Sequence, residues 1–234
     1  MNNSQGLFFG GEIKTLRKCT EKTCKNLLAA AVDVFAEKGY RDATIAEISG
    51  RAKANIAAVN YHFGDKETLY REAWRYAFSE SINAHPSNAG VSDASPPEER
   101  LKGQIITLLH RVNDKKNKEF LIVQKEIANP TGLLNEIMRE TLLPLQKSMQ
   151  DSIRELLGPQ ASDMQIQFCE ISIISQCINP MVLRREDDTN MPSGIKNLNA
   201  YANHVVQFSL AGIYKIQEEY RKKTFSRRNK VERP

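Results

Sequence analysis

Residues 55–70, "NIAAVNYHFGDKETLY", decide the fold. Asn55 is a good N-cap for a short helix that stops before Gly64. Val59 and Phe63, spaced i, i+4, face inward. Asn60, Tyr61 and His62 are consecutive polar groups that would each need a partner if buried, so they point outward. The Gly-Asp break leads into a second helix, from about Asp65 or Lys66 to Ala84, with Leu69, Ala73, Tyr76 and Ala77 on its inner side.

Upstream, Thr44 and Glu47 form a capping-box pattern that opens a helix over 44–51. Before it, a helix runs from about Thr20 to Lys38, its inner face built from Leu27, Leu28, Ala31, Val34 and Phe35, and Gly39 closes it. Helix 44–51, a short connection and helix 55–62 have helix-turn-helix dimensions. In that motif the second helix enters the major groove, so its outward side chains must be short or polar. Val59 and Phe63 would seat it on Ala46 and Ile48, leaving Asn55, Ala57, Ala58 and Asn60 toward the groove. The alanines permit close approach and contact with a thymine methyl, and Asn60 suits a bidentate contact to adenine. Ile56 is either core or a further methyl contact. Tyr61 and His62 suit phosphate oxygens, and Lys66 adds a cation in the first turn of the next helix. The same three helices could also be a plain packing unit, with Asn55 serving as a cap alone.

Downstream, "AHPSNAGVSDASPP" (84–97) has the composition of a linker. Ser95, Pro96 and Glu98 then supply N-cap, first-turn proline and N3 glutamate for a helix over 96–113. Further helices are expected over 117–129, 133–157, 162–184 and 195–222, with Pro144 kinking or restarting the second of these. Strand-like alternation is missing, so the chain is expected to be all-α. The division expected is a loose terminus at 1–14, a three-helix unit at 15–64, a larger helical bundle at 65–222 and a basic tail at 223–234.

The charge balance warns against a hasty conclusion. Thirty-three Lys/Arg against 28 Asp/Glu leave an excess of five. From Lys215 to Pro234 eight Lys/Arg meet three Glu, the same excess, so the preceding 214 residues are balanced. A nucleic-acid partner has to be argued from the motif, not from the overall charge.

No apolar run approaches membrane-spanning length, and the first ten residues lack a secretory pattern, so a cytoplasmic protein without a membrane partner is expected. Cys19, Cys24, Cys169 and Cys177 are expected as free thiols. Metal binding is the alternative, but no CxxC pair occurs and no His lies within five positions of a Cys. No cofactor or metal is expected. Nor is an enzyme: there is no Gly-rich phosphate loop, no His/Cys cluster and no Glu-x-x-His repeat.

Residues 27–70, "LLAAAVDVFAEKGYRDATIAEISGRAKANIAAVNYHFGDKETLY", resemble the N-terminal DNA-binding domain of TetR-type bacterial transcriptional regulators. The resemblance rests on Phe-Ala-Glu-Lys-Gly-Tyr, the Thr opening the second helix, Tyr-His-Phe and the following Lys-Glu-x-Leu. "ETLLPLQKSMQDSIRELLG" (140–158) and "YANHVVQFSLAGI" (201–213) are similar to the C-terminal domain of a CecR/YbiH-like subgroup. The resemblance implies a homodimer whose last two long helices pair into a four-helix bundle. It implies a palindromic DNA operator and a small-molecule effector of unknown identity, with repression the more usual outcome. By matching position, Thr44, Tyr61, His62 and Lys66 would meet phosphates and residues 55–60 would face bases. Lys53 stands where most members have Gly, and so either strains the turn, bends it differently or reaches the DNA backbone.

Trp74, Phe78, Ile106, Phe120, Met138, Met149, Phe168 and Cys177 are inward-facing candidates to line an effector pocket, each equally explicable as core. Gln176, Asn179 and His204 are polar candidates to orient a ligand or to lie in a dimer interface. The rival to a regulator is an all-helical dimeric carrier of a small molecule or lipid without specific DNA binding. It would leave Asn60, Tyr61, His62 and Lys66 without a purpose.

Overall fold

The computed structural model describes residues 22–182, 195 and 197–231. The expectations for 1–14, for a helix start at Thr20 and for Cys19 lie outside them, as do the last two residues of the helix expected over 162–184 and the last three of the basic tail. Among the described residues the chain is all-α, with nine helices. They are α1 (Lys22–Asp42), α2 (Ile45–Ala52), α3 (Ile56–Phe63), α4 (Lys66–Ala84), α5 (Pro97–Asn113), α6 (Glu119–Ala128), α7 (Asn135–Leu157), α8 (Asp163–Val182) and α9 (Leu198–Val231).

α1 buries Leu27, Leu28, Ala31, Val34 and Phe35 as its periodicity requires. At Gly39 the backbone turns to φ 76°, ψ −179°, a conformation closed to residues with a Cβ, and the Lys125 side chain from α6 packs directly against the site. Thr44 caps α2 by accepting from the Glu47 N–H at 3.2 Å. The reciprocal half of the expected capping box does not form. The Glu47 carboxylate instead takes Lys38 at 2.7 Å and Arg51 at 2.8 Å, while Arg51 also forks onto Glu37. The anchoring residues of α3 are Val59 and Phe63 against Ile48; Ala46 is exposed and takes no part in that seat.

α4 starts at an Asp65 cap, whose Oδ1 accepts from the Thr68 N–H at 2.7 Å. It lies along α1 and buries Leu69, Tyr70, Ala73 and Trp74 in the core of the first three helices. That core does not stop with α4: Ile122, Leu134 and Ile137 from the α6–α7 region belong to it. Tyr70 donates to the buried Glu126 of α6 at 3.0 Å, and Glu126 in turn accepts from the backbone and hydroxyl of Thr131 and from the Gly132 N–H. A second core is built from α5, α7, α8 and α9, around Leu101, Ile105, Leu109, Ile153, Ile173 and Val205.

Four expectations about local structure change. The cap of α5 is Pro96 rather than Ser95, one residue later, with Pro97 at the first helical position where its missing N–H costs nothing. α7 runs through Pro144 without a break, leaving the Glu140 carbonyl without its intrahelical donor. α9 continues past 222 to Val231, so most of the basic tail is helical. The 84–97 segment is no loose linker. It folds in successive turns, Ala89 N–H to Pro86, Val91 N–H to Asn88 and Ser95 N–H to Ser92, and sits down on α5. Gly103 is the seat: a Cβ there would come within 2.7 Å of the Asn88 carbonyl.

Of the cysteines, Cys169 and Cys177 are free and buried, whereas Cys24 is disulfide-bonded, against the expectation of free thiols throughout. Burial pushes the Cys177 thiol up to about 12, so it is inert as a nucleophile. No helix among the described residues is long and apolar enough to cross a membrane.

Candidate functional site

Two places carry chemistry. The first is the exposed face of α2 and α3. Asn55 Oδ1 accepts from the Ala57 N–H at 2.9 Å, which fixes the start of α3. Beyond that cap, Ile56 (49% exposed), Ala57, Asn60 and Tyr61 (81% exposed) form an open ridge with Thr44 beside it. Ile56 is therefore surface, not core. Ala58 and His62 are half-buried, Ala58 against the α1–α4 core and the His62 ring under Tyr61 at 4.9 Å.

Lys53 resolves the question of the turn. It adopts the left-handed conformation itself, φ 53°, ψ 42°, at the end of α2. Its N–H donates to Gly50 at 3.2 Å and the Ala54 N–H to Ser49 at 2.9 Å, the two bonds of a Schellman closure. Lysine thus fills the glycine position without altering the geometry, and its side chain is exposed. Lys66 differs from expectation. Its ammonium donates to the Arg41 carbonyl at 3.3 Å and lies over the Tyr40 ring at 4.5 Å, and burial holds it below the usual lysine range. It ties α4 to the end of α1.

The second place is a partly open cavity of about 940 Å³ bordered by α5, α6, α7, α8 and the 87–94 turns. Its apolar wall includes Leu108, Phe120, Leu142, Leu145, Met149, Ile174 and Ile178; polar groups come from Gln104, Thr107, Arg111, Ser148 and Glu170. Arg111 is buried and already engaged. It donates to Glu119 at 2.5 Å and to Ser81 on α4 at 3.1 Å, and lies over the rings of Phe78 and Phe120. Burial raises the Glu119 carboxyl above the usual carboxylate range, with Arg111 opposing the shift.

Of the eight pocket candidates, Phe120 and Met149 are in this wall. Trp74, Phe78 and Met138 belong to the α1–α4 core, the first two stacked on each other. Ile106 and Cys177 pack in the second core. Phe168 is not inward at all: it is 52% exposed on α8. Helical periodicity marks which face is covered, not whether neighbours fill the space behind it. His204 and Asn179 are exposed rather than buried, and Gln176 bonds back to the Ser172 carbonyl. The polar wall groups Gln104, Arg111 and Glu170 escaped sequence analysis, because a single polar residue on an amphipathic helix carries no mark of a cavity.

α8 and α9 leave a third feature, an apolar outer face. Met164, Phe168 and Ile171 on α8 and Phe208 and Tyr214 on α9 are exposed, with a shallow groove between the two helices lined by Phe168, Ser172, Phe208 and Gly212. Among the described residues no group of His, Cys, Asp and Glu is arranged to hold a metal ion.

Residues 27–73 match the model for the bacterial regulatory proteins of the tetR family, and residues 97–213 match that for the C-terminal domain of the HTH-type transcriptional dual regulator CecR. The chain is 29% identical over 170 residues to the HTH-type transcriptional dual regulator CecR of Shigella flexneri, covering 68% of this chain and 75% of that one. Two solved structures share the fold. AibR in complex with isovaleryl coenzyme A and operator DNA superposes with TM-score 0.63 at 17% identity, covering 80% of this chain and 97% of that one. FadR from Bacillus subtilis in complex with stearoyl-CoA gives 0.63 at 16%, covering 80% and 98%.

Proposed function

From a chain that belongs to the tetR family of bacterial regulatory proteins, a family of DNA-binding transcriptional regulators, we propose a homodimeric repressor that leaves a palindromic operator when a small molecule fills the cavity. The observation that carries the DNA half is α3. It is anchored by Val59 and Phe63 and presents Ile56, Ala57, Asn60 and Tyr61 bare to solvent. Asn55 spends its carbonyl oxygen on the cap, so its amide nitrogen is what it brings to DNA. Asn60 reads adenine, Ile56, Ala57 and the edge of Ala58 meet methyl groups, and Thr44, Tyr61, His62 and Lys66 bind phosphates. Lys53, held out from the turn, adds a further phosphate contact.

Two copies join through the apolar outer face of α8 and α9, which sets the two recognition helices about one DNA turn, roughly 34–36 Å, apart. α4 transmits the signal. Its first turn adjoins α3, and its far end is held at Ser81 by Arg111 from the cavity wall and by Asn117 at 2.6 Å. His85, just past α4, is tied to Asp114 at 2.9 Å. A ligand that binds the wrongly spaced state better shifts the population off DNA by no more than its differential affinity. On this account residues 22–64 read DNA, the rest of the helical body senses the effector, and the protein works in the cytoplasm.

The acyl-CoA thioesters held by the two solved relatives suggest an acyl thioester as effector here. One observation weighs against it: the basic side chain among the described residues of the cavity wall, Arg111, is already committed to Glu119 and Ser81. Fluorescence anisotropy tests the DNA claim, using the duplex upstream of the protein's own gene and a scrambled duplex at several salt concentrations. Tight binding of the native duplex alone is expected. Equal, steeply salt-dependent binding of both would reduce the interaction to phosphate contacts.

A further inference from the structure

The cavity wall is asymmetric in what it leaves unpaired. Glu170 is 4% exposed; its Oε2 accepts from Gln150 at 2.6 Å, while its Oε1 is buried with no hydrogen-bond partner. Gln104, also in the wall, on α5, donates through Nε2 to Ser148 at 2.9 Å, and its buried Oε1 also has no partner. Both open atoms are acceptors, and one belongs to a carboxyl group. The positive charge of Arg111 is taken by Glu119, itself buried, and Asp93 at the rim adds another acidic group. A buried acceptor without a donor is costly to a fold, and the cheapest remedy is a ligand that brings N–H groups and positive charge. Leu108, Phe120, Leu142, Leu145, Met149, Ile174 and Ile178 give the wall a broad apolar part, suited to a hydrocarbon body.

We propose that the effector is a cationic amphiphile, an organic amine whose ammonium draws the Glu170 carboxylate and the Gln104 amide oxygen round into the cavity while its apolar part lies along α7 and α8. This deepens the effector mechanism above and rests on it for its regulatory meaning, but not for the binding event. An anionic head, carboxylate or phosphate, would face two acceptors and an acidic rim, with no free cation among the described residues of the wall to receive it.

The test is a matched series that changes the head and keeps the tail: decylamine, decanol, decanoate and decanoyl-CoA, each below its micellar concentration, titrated by calorimetry into the full chain. Decylamine should bind at least about tenfold more tightly than the others. Glu170→Gln, which keeps the shape and removes the charge, should weaken the amine by about 10- to 100-fold and decanol by far less, as expected for loss of a charge-assisted hydrogen bond. Gln104→Met, a second variant with its own fold check by thermal midpoint, should weaken the amine in the same direction. Decanoate or decanoyl-CoA binding as tightly as the amine, Glu170→Gln binding the amine like the wild type, or no binding by decylamine would each overturn the proposal. Operator anisotropy in the same mixtures separates the two claims. Amine binding that depends on Glu170 without operator release would leave the ligand class standing and sink the release mechanism. Operator release by decanoyl-CoA but not by decylamine would do the reverse.

Discussion

Removing the Arg111 side chain should be among the most damaging single changes available in this protein, and the reason is what it leaves behind. Arg111 and Glu119 are both almost wholly buried, with side chains 4% and 3% exposed, and their 2.5 Å ion pair joins α5 to α6. Glu119 already has one oxygen, Oε2, without a partner. In Arg111→Leu the carboxylate loses its cation and keeps its burial, which costs about 3–5 kcal/mol. Arg111→Leu/Glu119→Leu removes both charges and should recover most of that, ending near the wild type or above it. The pH dependence has a definite sign. Burial holds the folded-state pKa of Glu119 above its ordinary 4.5, and loss of Arg111, which opposes that shift, raises it further. A carboxyl raised on folding contributes its stability below the unfolded pKa and loses it as pH rises through the folded one. The gap between Arg111→Leu and the wild type should therefore widen from pH 5 to pH 8. Urea unfolding at fixed protein concentration, followed by far-UV circular dichroism, measures all three chains at both pH values. A single-variant loss under about 1 kcal/mol, a double variant no better than the single, or a loss independent of pH would refute the reasoning.

Asn60→Ala/Tyr61→Ala should cost about 1–3 kcal/mol in operator binding for the base contact alone while leaving the thermal midpoint nearly unchanged, since both side chains are exposed; a matching fall in the midpoint would make them structural. Lys66→Ala should lower both operator affinity and stability, because its ammonium also caps the Arg41 carbonyl, so it is the poorer probe of DNA binding. Lys53→Gly removes a left-handed non-glycine residue and should stabilise the fold by up to about 1 kcal/mol, with added unfolded-chain entropy offsetting part of the gain. If Lys53 meets a phosphate, the salt slope of operator binding should also fall by roughly 0.9. Gly103→Ala should cost about 1–3 kcal/mol by urea unfolding, because its Cβ would collide with the Asn88 carbonyl and lift the 86–95 turns from α5.

The reading head was legible because its signals are local. Caps at Thr44, Asn55 and Asp65, the i, i+4 pair Val59 and Phe63, and the exposure of Asn60 and Tyr61 between them are all settled within a few residues of chain; His62, expected outward with them, is half-buried. The cavity was not, because an empty space is defined by what distant segments fail to fill. Trp74 and Cys177 face inward as their periodicity demands, yet tight packing covers both. The turns at 87–94 have a linker's composition and nevertheless form a wall, held by a glycine on a helix that sequence analysis had no reason to pair with them. Lys53 sits between these cases. The demand for a left-handed residue was visible in the sequence, and the structure adds that lysine meets it without changing the turn.

The core around α1 has a bearing on how regulators of this kind can be recombined. Ile122, Leu134 and Ile137 sit among the side chains of α1–α4, and Tyr70 reaches Glu126 across the same seam. A chimera cut at Gly64 would part the α1–α3 half of this core from α4, Ile122, Leu134 and Ile137, which complete it. The interchangeable part is therefore smaller than the folding unit. On the proposed function, exchanging only the solvent face of α3, at Asn55 to Ala57, Asn60 and Tyr61, is expected to change the address on the DNA and leave the hull intact.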